Sequence, residues 1–193
     1  MIARFSVGLM LAAVLSFATA APVTLDFESL PDQLVVGNEY AGLGLSMVHG
    51  ALSLTAGFSL NEVDFPPHSG VVALGNELTS SPLELLFSTP TNGLSAWFTY
   101  SAPLSIMSYA IDGTTLLGTV SSLSSSNFGR SELIDFGFSN VGRVVIQSAD
   151  YYILDDLRFD SHAAPEPTSL GLVAFALAAA GMTASRSRRP SAG

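Results

Sequence analysis

The sequence predicts an all-β protein, a single antiparallel β-sandwich over residues 21–160, and three observations carry that expectation. Turn-forming Gly, Pro, Asn, Asp and Ser recur at roughly eight to twelve positions, the spacing of sandwich strands and their turns. The segments between them are short and rich in Val, Leu, Ile, Phe and Thr, residues that fit a pleated, half-buried surface. Where polarity alternates it does so with a period of two, and no stretch of this middle region carries a convincing helical pattern or an internal repeat.

The elements follow in order. Val23 to Glu28 alternates cleanly, with Val23, Leu25 and Phe27 inward and Thr24, Asp26 and Glu28 outward, and Leu30-Pro31-Asp32 ends it. Gly42, Gly44 and Gly50 bracket a second strand, Leu43 to Val48, entered through Tyr40-Ala41-Gly42. Ala51 to Leu54 and Val71 to Leu74 are the next two, separated by a loop from Asn61 to Gly70. Leu83 to Phe87 follows, then Gly93 to Tyr100, where Leu94, Ala96, Phe98 and Tyr100 share one side and Trp97 faces the other. Leu104 to Ile111 and Thr114 to Val120 flank Asp112-Gly113, a dipeptide that signals a two-residue hairpin turn. Leu133 to Phe138, Val141 to Gln147 and Tyr151 to Phe159 complete the set after the serine-rich loop Ser121 to Ser126.

A period of two puts Tyr151, Ile153, Asp155, Leu157 and Phe159 on one face of the last strand, so Asp155 is expected to point into an apolar stripe. A buried carboxylate is costly unless it is paired or hydrogen-bonded. Asp-Phe-Glu in the first strand together with Leu-Asp-Asp-Leu-x-Phe in the last resembles jelly-roll domains found in carbohydrate-binding modules. That resemblance implies a jelly-roll-like sandwich in which the first and last strands lie side by side.

The two ends of the chain are of a different kind. Residues 1–20 carry one charge, Arg4, then an almost wholly apolar run from Phe5 to Phe17 and the small-residue sequence Ala18-Thr19-Ala20, which is the pattern of a secretory signal peptide helix. At the other end, 161–167 is a linker containing Pro165, Glu166 and Pro167, whose two prolines keep it out of helix and sheet. Residues 168–185 form an uncharged hydrophobic helix about 27 Å long at roughly 1.5 Å per residue, just short of a ~30 Å hydrocarbon core. A basic tail, 186–193, follows with Arg186, Arg188 and Arg189, which stay on the cytoplasmic side. The order Pro-Glu-Pro, short apolar helix, arginine cluster resembles the PEP-CTERM sorting signal of exported bacterial proteins, with Pro190 to Gly193 as a departure beyond the arginines. The resemblance implies processing by an exosortase-type membrane protease, transient anchoring in the inner membrane through the helix, and an association with exopolysaccharide and biofilm at the cell surface. An ordinary C-terminal tail anchor is the alternative.

Composition narrows the function of the middle region. Its positive side chains are Arg130, Arg143 and Arg158, the chain has no Lys, and all its acidic residues except Glu166 lie there. Such a body repels phosphate backbones, which argues against nucleic acid as a partner, and it attracts divalent cations. There is no Cys, so neither disulfides nor thiolate metal sites are available.

Three sites are therefore expected or weighed. Asp155 or Asp156 with Asp26 or Glu28 could hold a structural Ca²⁺, a hard cation that takes several oxygen ligands, although Asp26 and Glu28 sit on the outward phase and Asp155 on the inward one. The alternative is that Asp155 accepts backbone N–H bonds at a bulge and Asp156 pairs with Arg158 or Arg143. The segment Glu62 to Gly70 gathers acids, His68 and Ser69 beneath Pro66 and Pro67, yet no Gly-x-Ser-x-Gly elbow and no zinc set can be assembled, so a loop rimming a ligand groove is the plainer reading. Trp97, with Tyr40, is the expected aromatic platform for a sugar ring. These features describe an exported, non-catalytic surface or matrix protein associated with extracellular polysaccharide; the alternatives are a carbohydrate-binding module with a defined groove and a secreted polysaccharide-acting enzyme.

Overall fold

A computed structural model describes residues 21–48, 51–76 and 82–161. The signal segment 1–20, the Pro-Glu-Pro motif, the 168–185 helix and the basic tail lie outside the described residues. No helix among the described residues is long and apolar enough to cross a membrane.

The strands are β1 (Ala21–Leu25), β2 (Leu45–Val48), β3 (Ala51–Thr55), β4 (Val72–Asn76), β5 (Leu83–Thr91), β6 (Ser95–Tyr100), β7 (Leu104–Ala110), β8 (Leu116–Ser121), β9 (Glu132–Asp135), β10 (Val141–Ser148) and β11 (Tyr152–Ser161), with a single 3₁₀ turn at Ala41–Leu43. One sheet runs β3-β4-β11-β6-β9, with β1 also paired to β11, and the second runs β2-β5-β10-β7-β8. Every ladder is antiparallel. The predicted all-β sandwich is therefore the fold, and its first and last strands do lie side by side, from Ala21 against Ser161 to Leu25 against Leu157.

Alternation explains the core between the sheets. Ala96, Phe98 and Tyr100 of β6 and Tyr152, Leu154, Leu157 and Phe159 of β11 meet Leu83, Leu85 and Phe87 of β5, Leu104 and Ile106 of β7, and Val144 and Ile146 of β10. All are buried, and removing that much apolar area from water is the main favourable term for the domain.

The structure corrects four local expectations. The first strand stops at Leu25: Phe27 has φ 61°, so the backbone turns there while the ring stays buried. Glu28 then accepts hydrogen bonds from the N–H groups of Val71 (2.9 Å) and Val72 (2.8 Å), anchoring the start of β4. The β7–β8 hairpin forms, but a longer loop closes it, with Ala110 N–H bonded to Thr115 O and Asp112 accepting from the N–H groups of Thr114 and Thr115. Those bonds, led by the Thr115 hydroxyl, pull the Asp112 carboxyl down to about 2. The strand beginning at Leu83 reaches Thr91, past the predicted end at Phe87, and crosses Pro90 where the ladder with β10 slips register. A bulge of this kind is where a sheet tolerates proline.

The fourth correction matters most. In β11, Asp155 pairs with Trp97 but Arg158 pairs with Ser95, so β11 spends one more residue than β6 over that interval. Asp156, at φ 46°, is the extra residue of a β-bulge. The bulge inverts the alternation: Tyr152 and Leu154 face the main core before it, Leu157 and Phe159 after it. Asp155 does not share a stripe with Leu157 and Phe159; it lies on the opposite, outer face of the sheet.

Gly142, where β10 crosses Ile111, gives a direct test of the packing. A Cβ there would stand 2.3 Å from Ile111 Cα and 2.8 Å from its N, and backbone cannot yield cheaply. Gly142→Ala is expected to cost about 1–3 kcal/mol in urea unfolding. Gly42→Ala, which meets nothing within 4 Å, should stay within about 0.5 kcal/mol of the parent.

Candidate functional site

The outer face of the six-stranded sheet is covered over part of its width. The chain between β3 and β4 folds back across it, and Leu60 and Phe65 pack on Leu54, Ala73 and Ile153 to form a second, smaller core. Phe65 meets Tyr151 and Phe128 edge-on, at 4.7 Å and 5.3 Å between ring centroids. The cover is fastened by polar groups on every side. Asp32 accepts from Thr55 N–H and from the Ser59 hydroxyl, Glu62 from Gly57 N–H, and Thr99 Oγ1 lies 3.2 Å from the carbonyl of Pro66.

The cover ends at His68. Its imidazole lies flat on the Trp97 indole, with centroids 3.7 Å apart and planes inclined by 7°. Trp97 is there because β6 alternates: Ala96 and Phe98 go to the main core, so the indole must go out. Asp155 stands opposite it in the ladder, 2 % exposed. Both of its oxygens accept backbone N–H bonds, Oδ2 from Ser69 (2.9 Å) and Oδ1 from Asp156 (2.7 Å). Burial is the largest influence on this carboxyl and pushes it up to about 6; the amide donors oppose that rise, and the neighbouring Asp156 charge adds to it.

Asp156 takes the neighbouring pair of groups. Its Oδ2 is 2.6 Å from His68 Nδ1, and its Oδ1 accepts the Ser69 hydroxyl at 3.0 Å. The expected pairing of Asp156 with Arg158 or Arg143 is not what forms. Arg143 belongs to the other sheet, where it binds Glu84 at 2.9 Å and lies over the Tyr109 ring. The His68, Ser69, Asp156 group is also not a nucleophile relay, because the serine hydroxyl is turned to the carboxylate and not to the imidazole. It positions His68 on Trp97.

Two adjoining hollows open beside the indole, both lined by Trp97 and Leu133. One continues through Leu123, Asn127, Arg130 and Glu132, the other through Thr24, Ser95, Asp156 and Arg158. The part of the half-buried indole that His68 leaves uncovered, bordered by hydroxyl, amide, carboxylate and guanidinium groups, thus lines a surface on the outside of the sheet.

The other residues expected from the sequence lie elsewhere. Tyr40 does not join Trp97: its ring meets Phe27 edge-on at 5.9 Å and packs against the main core. Of the proposed calcium set, Asp155 and Asp156 are adjacent at the bulge, Glu28 is turned to the amides of Val71 and Val72, and Asp26 accepts from Glu28 N–H at 3.3 Å. Among the described residues no three His, Asp or Glu side chains stand as a group that could hold a metal ion. Sequence reasoning singled out Trp97 and the loop containing His68 but not their contact. The signal available was the pair Pro66-Pro67, which stiffens the chain just before His68.

Neither a protein-family model nor a curated protein matches the chain. Solved structures similar to it include a family 6 carbohydrate-binding module (14% identity over 74% of this chain and 95% of that one, TM-score 0.34). They also include TmCBM61 in complex with β-1,4-galactotriose (14% identity over 69% of this chain and 100% of that one, TM-score 0.38). A third is the catalytic domain of a GH87 α-1,3-glucanase in complex with tetrasaccharides (13% identity, TM-score 0.39), matched over 76% of this chain and 29% of that one.

The raised carboxyl of Asp155 sets a pH dependence of stability. Because the folded protein keeps this proton after the unfolded chain has released it, this group favours folding most below about pH 4, and that advantage is lost as pH rises to about 6. In urea unfolding at pH 4 to 7, Asp155→Asn is expected to remove this downward trend, so that the stability difference between parent and variant changes across the window. A difference that stays constant from pH 4 to 7 would count against the assignment.

Proposed function

We propose that the protein is an exported, non-catalytic saccharide-binding β-sandwich whose Trp97 surface holds a sugar residue of an extracellular polysaccharide. The observation that carries this reading is the indole itself. The only Trp of the chain sits on the outer sheet face and lines two hollows bordered by hydrogen-bonding side chains. A pyranose presents an apolar C–H face and a rim of hydroxyls, so it needs a flat aromatic surface with polar groups around it. Pre-positioning by His68, itself held by Asp156, lowers the entropy lost on binding. The turning of the Ser69 hydroxyl to Asp156 supports a binding role over catalysis.

Delivery to that polysaccharide is assigned to the two ends. The signal-peptide pattern of residues 1–20 supports export, and the Pro-Glu-Pro, apolar helix and arginine order of 165–189 supports sorting at the membrane by an exosortase-type protease.

Two outcomes test these halves separately. Trp97→Ala is expected to weaken binding to polysaccharide recovered from the producing cells at least tenfold in affinity electrophoresis, about 1.4 kcal/mol. The parent's tryptophan emission, which reports this one indole, should shift on adding that polysaccharide; unchanged retention and emission would reject the site. For sorting, intact-mass analysis of surface and released protein should show a chain lacking both the first twenty residues or so and the segment after Pro-Glu-Pro. Full retention of Leu170 to Gly193 would reject processing.

A further inference from the structure

We infer that the saccharide held at Trp97 is anionic, a sugar residue carrying a carboxylate or sulfate group. This rests on the Trp97 reading above and adds the ligand's charge. The argument begins with how few cations the body has: Arg130, Arg143 and Arg158 are its only arginines, and it has no lysine. Arg143 is bound to Glu84 on the other sheet. The two that remain, both exposed and neither in a salt bridge among the described residues, line the two hollows that meet at Trp97, Arg130 one and Arg158 the other. In a domain where acids far outnumber arginines, both guanidinium groups outside the Arg143 pair thus border the single indole.

The acids at the same place keep their charge, but their oxygens are taken by other donors and neither forms an ion pair with these arginines. Asp156 is taken up by His68 and Ser69, and Glu132 accepts from the Tyr100 hydroxyl and from Leu123 N–H (3.1 Å). Arg158 is also fixed in place through its strand, which is paired on both edges, with Thr24 on one side and Ser95 on the other. A guanidinium presents a planar fork of donors that matches a carboxylate or sulfate in two parallel bonds. The general field of the body repels polyanions, so retention of one requires contact with these two side chains and cannot come from bulk charge.

The test uses the full chain with four polymers: polygalacturonate, its fully methyl-esterified neutral form, dextran sulfate and dextran. The parent is expected to bind at least one charged member at least tenfold more tightly than its neutral partner; which member it is distinguishes carboxylate from sulfate. The double variant Arg130→Gln, Arg158→Gln should lose that preference, its affinity for the charged member falling to that for the neutral partner, and circular dichroism should show it folded. Trp97→Ala should weaken binding to both members of the pair. Equal binding of charged and neutral polymers, or a preference that survives the double variant, overturns the inference while leaving the Trp97 platform intact. Charged binding untouched by Trp97→Ala overturns the platform, and no binding to any of the four, with retention of the native polysaccharide, overturns the anionic inference alone.

Discussion

The arrangement of this protein's outer surface depends on one extra residue in its last strand. A β-strand buried on both faces has no polar side to spare, and β11 is such a strand up to Asp155, with Leu154 in the main core and Ile153 in the small one. Two consecutive acids cannot continue that pattern at ordinary cost. The bulge at Asp156 resolves the conflict: Asp155 keeps the outward phase of Ile153, where two backbone N–H groups meet it, and the extra residue lets Leu157 and Phe159 return to the main core. Asp is among the residues that tolerate a positive φ, so the residue that makes the bulge is also one that can adopt it.

From the bulge the site follows in steps. Asp155 and Asp156 together hold the backbone of Ser69 and the side chains of His68 and Ser69, which fixes the last turn of the covering segment against β6. Glu28 holds the next residues, Val71 and Val72, and passes so close to Gly70 that a Cβ there would lie 2.2 Å from its Oε1. Gly70, at φ 54°, is therefore required on two counts. His68 has little freedom between these anchors, and its ring comes to rest on Trp97. The many acids of the sequence thus have a structural explanation that their number alone does not suggest: several are acceptors for loop backbone, a use that needs no counter-cation.

Much of the fold was legible because alternation and turn spacing report burial directly. Most strand positions follow from turn spacing, and the side of β6 that faces the core and the outward placement of Trp97 follow from residues 94 to 100 read with a period of two. The last strand misled for a physical reason. Tyr151, Ile153, Leu157 and Phe159 form an odd-numbered apolar series, but Tyr152 and Leu154 are apolar as well, so the sequence before Asp155 carries no phase at all. With both faces buried, periodicity cannot choose between them, and only the second core reveals why both are apolar. Long-range partners such as Asp156 and His68 lie 88 positions apart and leave no mark on local pattern.

The placement of Trp97 argues against a purely structural role for it. Tryptophan joins a large apolar ring to a polar N–H and is favoured where one side is apolar and the other wet. Here the indole is kept at the edge of the cover, outside both apolar clusters, with a histidine laid flat on it and polar side chains around it. The small core ends short of it, although Leu133 is exposed beside it and could have been enclosed by a longer loop. Covering stops where the polar groups begin, which is the boundary expected of a surface shaped to receive a partly apolar, partly hydrogen-bonding ligand.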